Sequence, residues 1–253
     1  MKSIMDETYI IYFFLILIVF IQSIVGVGVL VVGTPILLIL DFHILEIMKT
    51  LLPISILTSL INLIIIKKLK KFDKIGINKN IKKNFFLICI PSICIGLFFL
   101  KKFETQINFN LIVSCVILVS IFIKLYQKKI WVYLRNNFFL KSVMFIMGIV
   151  HGITNTGGTV LMLFFTKSLK GMIASNRYNI SFFYFILATF QYLTFILIFK
   201  NSIEYQFDEL ILLTSVFVGI LIGNFLIKFI NQNFLDKFII SISFISALTL
   251  MLK

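Results

Sequence analysis

The sequence predicts an all-α, polytopic transmembrane helical bundle, and three observations carry that expectation. First, 60% of the 253 residues are hydrophobic and 13% charged, far from the roughly half-apolar, quarter-charged mix of soluble domains. With 30 Phe and only 10 acidic residues, the chain has too little polar surface to stay in water. Second, cutting the sequence at its charged residues leaves eight long uncharged windows. Third, these windows are continuously apolar instead of alternating, which selects helices over a β-barrel.

In order, the windows are 8–40, 50–66, 84–100, 105–123, 142–166, 178–199, 210–227 and 238–252, with lengths of 33, 17, 17, 19, 25, 22, 18 and 15 residues. A bilayer core of about 30 Å takes about 20 helical residues, and flanking lysines snorkel to extend the shorter windows. About eight spans follow. The first window is anomalous, because its 33 residues reach about 50 Å as a helix, too long for one span and too short for two. It must tilt, break or re-enter, and Gly26, Gly28, Gly33 and Pro35 supply the weak points. No cleavable signal is expected, since the window far exceeds the roughly 7–15 residues of a signal-peptide core. Cys89, Cys94 and Cys115 all fall inside windows without metal-ligand spacing, and read as small buried hydrophobes.

The net charge of +14 does not signal nucleic acid, because the lysines lie between windows and not along one face of a soluble domain. They report orientation instead. If every window crosses, the side holding the N-terminus, the 67–83 loop, 124–141, Lys200 and Lys253 carries 16 of the 24 Lys/Arg. The positive-inside rule then puts both termini in the cytoplasm, in a multi-pass protein of the cytoplasmic (inner) membrane. One loop dissents: 200–209 contains Glu204, Asp208 and Glu209.

Two stretches recur. Gln22-Ser23-Ile24-Val25-Gly26-Val27-Gly28 aligns with His151-Gly152-Ile153-Thr154-Asn155-Thr156-Gly157 at a shift of 129, and Ile95-Gly96-Leu97-Phe98 aligns with Ile222-Gly223-Asn224-Phe225 at a shift of 127. A single membrane domain over 1–253 is expected, built from two four-span repeats, 8–126 and 138–253, joined by a basic linker at 127–137. Trp131 and Tyr133 in that linker suit the headgroup level. Four crossings per unit make the repeats parallel; a glycine segment that dips in and out makes them inverted.

Broken helices at matching places in two repeats are how many transporters build a midplane site. A half-helix starting inside the membrane aims N–H groups and a positive dipole end at an anion. Around the first break the candidate substrate contacts are Gln22, Ser23, Gly26, Gly28, Thr34 and Pro35; around the second they are His151, Thr154, Asn155, Thr156, Gly157, Gly158 and Thr159. These offer donors without a buried charge. The competing reading is that the glycines only let helices approach closely. His151 and Asn155, four residues apart, are expected on one helical face, with His151 as a substrate or proton contact or as a hydrogen-bonded core residue. Arg177 is expected either to contact the anion at the cavity mouth or to snorkel at the surface. His43 and Glu46 read as a solvated loop. No Walker lysine, HExxH or paired intramembrane carboxylate appears, so an enzyme is not expected, nor any cofactor or metal.

At these glycines the chain resembles the TauE/SafE sulfite-exporter family, also called the toluenesulfonate uptake permeases, over nearly its whole length. The family's G-x-G-G-G-x-x-x-x-P-x-L helix resembles Gly26-Val27-Gly28-Val29-Leu30 leading to Pro35-Ile36-Leu37. Gly148-Ile149-Val150-His151-Gly152 through Gly157-Gly158 resembles its second copy, and Gly219 to Gly223 followed by Lys228 resembles its closing helices. Val27 and Val29 dilute the glycine run, Gln22 stands where an acid is frequent, and no proline follows Gly158. The resemblance implies a secondary transporter moving sulfite, a sulfonate or a related organic acid, with H+ or Na+ as coupling ion. Its partners are then the small anion and the lipid bilayer, with no nucleic acid; a homo-oligomer is compatible with the sequence. A membrane assembly or scaffold protein is the alternative.

Overall fold

The computed structural model describes residues 2–68, 79–126, 129, 133, 136–158, 173–199, 209–227, 229 and 232–253. Among these there is no strand. The helices are α1 (Lys2–Val25), α2 (Val29–Ile39), α3 (Ile44–Lys68), α4 (Lys79–Phe103), α5 (Phe109–Leu125), α6 (Asn137–Thr154), α7 (Ile173–Phe199), α8 (Glu209–Leu226) and α9 (Gln232–Leu252). Four of them, α3, α4, α6 and α7, contain stretches long and apolar enough to cross a membrane, and shorter apolar helices accompany them. The Asn108 and Asn136 side chains accept from Leu111 N and Phe138 N, capping α5 and α6. Lys67, Lys68, Lys101, Lys102 and Lys124 sit in last turns, where the helix dipole favours cations. The α4 ladder widens into a π-helical segment at Phe85–Cys89, just before Pro91, whose missing N–H cannot bond Leu87.

Apolar side chains point outward as well as inward. Phe98, Leu197, Leu221 and Phe225 are exposed, the expected surface of a bundle dissolved in lipid. Cys89 is buried, but Cys94 is only partly so and Cys115 is exposed. The reading of all three cysteines as buried therefore fails for Cys115, which faces outward from α5.

The long first window is resolved by reversal. Ile18 and Gly33 are 15 residues apart, about 22 Å along one continuous helix. Yet a Cβ built on Gly33 would lie 2.9 Å from Ile18 Cδ1. Helix α2 thus folds back along α1, and the turn between them is Gly26, Val27 and Gly28. Gly26 has φ +91°, a conformation glycine adopts without Cβ strain. Pro35 does not make the break: α2 runs through it.

This reversal changes which ends share a face. The Lys253 ammonium lies 2.6 Å from an Asp41 carboxylate oxygen, and His43 Nε2 lies 3.6 Å from Glu104 Oε1. Lys101 donates to the Ile198 carbonyl at 2.8 Å. The start of α1, the α2–α3 turn, the ends of α4 and α7, and the C-terminus therefore lie on one face. On the other, Asn84 meets Asn137, and Arg177 meets Asn62 and Asn224. Eight alternating crossings put Asp41 and Lys253 on opposite faces, so that loop assignment is corrected by the ion pair between them.

Two crossings are built on small residues. On α8, Gly219 packs on Ile16 and Val19, and Gly223 on Phe20 and Ser23, so α8 runs parallel to α1. Gly148 of α6 packs on Cys89 and Ser92, and Gly152 on Ile93 and Gly96, so α6 runs parallel to α4. At these positions glycine does serve close approach of backbones.

Candidate functional site

Both glycine segments end a helix inside the bundle. At the first, Gly26 N–H donates to the Gln22 carbonyl at 2.8 Å; at the second, Asn155 N–H donates to the His151 carbonyl at 2.9 Å. Asn155 caps α6 in the left-handed region, φ +67°, a conformation asparagine tolerates better than other side chains. It is therefore outside the helix, and His151 and Asn155 do not share a helical face as expected. The same carbonyls accept a second bond from amide side chains: Asn62 Nδ2 to Gln22 O at 3.4 Å, and Gln191 Nε2 to His151 O at 3.0 Å.

Side chains at the two breaks are engaged differently. Gln22 Oε1 accepts from Val29 N–H, the first residue of α2, at 2.9 Å. Its Nε2 lies 3.0 Å from Ser55 O, 3.3 Å from Ser55 Oγ and 3.0 Å from Ser59 Oγ. One amide thus caps a half-helix and ties α1 to α3. His151 is fully buried, and neither ring nitrogen has a partner. Neither amide atom of Asn155 is bonded, nor is Gln191 Oε1.

Tyr184 joins the two. Its ring packs against Gly158, leaving no room for a Cβ there, and stands 6.4 Å from the His151 ring. Its hydroxyl faces the Leu30 backbone in α2 without reaching hydrogen-bond geometry. On the same α7 stripe, Ser181 Oγ and the Arg177 carbonyl would meet a Cβ on Gly26 at 3.2 and 3.1 Å. Arg177, Ser181, Tyr184 and Gln191 recur at helical spacing along α7, all buried.

Arg177 does not snorkel, being 5% exposed. Its Nη2 donates to Asn62 Oδ1 and Asn224 Oδ1, both at 2.8 Å, and its Nε has no partner. Among the described residues no carboxylate meets it. A buried guanidinium solvated only by neutral amides is an arrangement that favours an arriving anion.

The other expected contacts fall as follows. Ser23 and Thr34 hydroxyls are buried and unbonded, Ser23 lying against Gly223. Thr154 Oγ1 bonds Val150 O at 2.7 Å and meets Thr156 Oγ1 at 2.8 Å. Gly157 sits on the His151 Cβ. Gly28 lies against Ile21 and Gln22, and Pro35 is buried within α2. Thr159, like Trp131, lies outside the described residues. Asn62, Asn224, Tyr184 and Gln191 were not expected; the signal available was a lone amide or phenol within an uncharged window. His43 donates its N–H to Glu46 at 3.0 Å in an exposed turn, as a loop role requires. A cavity of about 180 Å3 lies between α3, α7 and α8, lined by Thr50, Pro53, Tyr192 and Val216. A smaller one adjoins Val27 and Gly28, with Ser120 and Lys124 across it.

Comparison with families of known proteins matches residues 11–250 to Sulfite exporter TauE/SafE. No curated protein and no solved structure matches the chain. With a match over essentially its whole length and an all-helical, lipid-facing bundle around two broken helices, the chain belongs to the TauE/SafE sulfite exporter family of membrane transporters.

Proposed function

We propose that the protein is a secondary transporter of a small anion, sulfite, a sulfonate or a related organic acid, and that Arg177, Asn62 and Asn224 hold the anionic group. The buried guanidinium with only amide partners carries this reading. A scaffold protein has no use for an unneutralised cation inside the membrane, whose desolvation is costly. Hydrolysis of ATP has no motif here, so H+ or Na+ supplies the coupling in this proposal.

The two halves, 8–126 and 138–253, are read as inverted repeats of one dipping hairpin or half-helix followed by three crossings. The corresponding amide-to-carbonyl hydrogen bonds at Gln22 and His151 support this reading, as do the reciprocal α1–α8 and α4–α6 crossings. Alternating access is then a rocking of one repeat on the other about the breaks. Regrouped by face, among the described residues one side holds Lys67, Lys68, Lys79, Lys82, Lys83, Lys124, Lys129, Lys141 and Lys237. The other holds Lys2, Lys49, Lys101, Lys102 and Lys253. The positive-inside rule therefore favours termini on the side away from the cytoplasm, reversing the orientation expected from eight alternating crossings, and the acidic 200–209 loop no longer dissents.

Flux into proteoliposomes over a panel of sulfite and sulfonates, with imposed pH or Na+ gradients, tests the proposal. Uptake that Arg177→Gln reduces by at least about tenfold is expected, the scale of one lost charge-assisted contact. No flux and no anion-dependent thermal stabilisation across the panel would favour the scaffold.

A further inference from the structure

The two breaks share a backbone but not a side-chain chemistry. His151 stands 129 residues after Gln22, Tyr184 after Ser55, and Ala188 after Ser59. The network that Gln22 closes in the first half thus has no counterpart among the described residues of the second, where the imidazole nitrogens, both Asn155 amide atoms and Gln191 Oε1 are left unbonded. His151, Asn155 and Gln191 are all fully buried. The orientation of Gln191 is fixed, because flipping its amide would set an oxygen against the His151 carbonyl that its Nε2 now reaches at 3.0 Å. Its Oε1 is then a buried acceptor without a donor, which native folds keep for a reason.

We infer that the second break is a ligand subsite for a polar group that gives a hydrogen as well as accepting one, a separate station about 21 Å along α7 from Arg177 that the anion reaches in passage, and that the Gln22 side chain at the first break is structural. This deepens, and rests on, the transporter reading. An anion presenting oxygen alone can take hydrogens from the imidazole and from Asn155 Nδ2, but leaves Gln191 Oε1 and Asn155 Oδ1 unmatched. A small oxoanion that also bears a hydroxyl or ammonium group matches both kinds. Sites whose polar groups are left unpaired by the wrong ligand discriminate strongly.

Thermal unfolding of the purified full chain in detergent, titrated with ethanesulfonate, 2-hydroxyethanesulfonate and taurine, tests this with three two-carbon sulfonates of similar size. The hydroxyl and ammonium compounds are expected to stabilise at concentrations at least about tenfold lower than ethanesulfonate. Asn155→Gly copies Gly26, keeps the positive φ accessible, and is expected to fold and lose the preference. Gln191→Met provides the same readout should that variant not fold. Equal stabilisation of the wild type by all three, or retention of the preference in a folded variant, overturns the inference. Stabilisation by sulfite with none by these three overturns it while leaving the transporter reading intact; silence towards sulfite as well removes both.

Discussion

Gly26 and Asn155, 129 residues apart, hold the same backbone state: φ is +91° at one and +67° at the other, and each donates its N–H to the carbonyl four residues before it. The two do not tolerate change equally. Gly26 also lies under α7, where an added Cβ would stand 3.1 Å from the Arg177 carbonyl and from Ile180 Cγ2. Gly26→Ala is expected to cost about 1–3 kcal/mol through left-handed strain, read as a lowered midpoint of thermal or denaturant unfolding. An unchanged midpoint would show that the turn relaxes to negative φ.

Gly157 and Gly158 make a different prediction. A Cβ at Gly158 meets the Tyr184 ring, and one at Gly157 meets His151 Cβ at 2.6 Å. Leu at Gly28, Gly157 or Gly158 pushes a branched side chain against Gln22, His151 or Tyr184 at the two breaks. Vesicle flux is expected to fall by at least about tenfold while the protein still elutes as a folded species. Full transport by a variant carrying all three changes would refute the location of the site.

Much of this was legible in the sequence, and the reason for the remainder is geometric. Composition and uncharged windows suffice for lipid-embedded helices, and glycine spacing locates both breaks, because backbone freedom at Gly26 and Gly28 is a local property. The direction of the chain after a break is not local. Whether 29–39 continues or returns depends on Ile18 and Leu51 receiving Gly33, contacts between residues whose types are common throughout the chain. The proposed anion contact was half legible: Arg177 is visible as a charge at a window edge, but its depth comes from Asn62 and Asn224, 115 and 47 residues away.

The role of Gln22 is energetic before it is chemical. Its amide satisfies Val29 N–H and reaches Ser55 and Ser59, so Gln22→Leu strands several buried polar groups. At about 1–3 kcal/mol for each group left unpaired, a loss of at least about 2 kcal/mol in denaturant unfolding is expected. Anion-dependent stabilisation of the surviving folded fraction is expected to persist, in contrast to Arg177→Gln.

Gly96 and Gly152 should behave as packing residues alone. A Cβ on Gly152 would lie 3.0 Å from the Gly96 Cα, so Gly152→Val forces α4 and α6 apart along their length. Overpacking of this kind costs about 1–3 kcal/mol or more. A lowered unfolding midpoint with an unchanged anion affinity of the folded fraction is the expected result; selective loss of affinity would instead bring this crossing into the site.

Orientation gives the sharpest separation between two readings of one charge pattern. Counting every window as a crossing puts both termini inside; pairing Asp41 with Lys253 and Asn84 with Asn137 gathers the basic connections on the opposite face. A charge bias acts during insertion on the short connections near helix ends, so the proposed orientation keeps the face of Lys67, Lys68, Lys79, Lys82 and Lys83 in the cytoplasm. Single cysteines at Lys253 and Lys79, in a background with Cys89, Cys94 and Cys115 replaced, distinguish the two when intact cells meet a membrane-impermeant maleimide. Lys253→Cys is expected to label in intact cells and Lys79→Cys only after permeabilisation. The reverse pattern would return the termini to the cytoplasm and require the basic face to have been translocated against its charge, while labelling of both positions in intact cells would separate the α3–α4 connection from the face that Asn84 and Asn137 define.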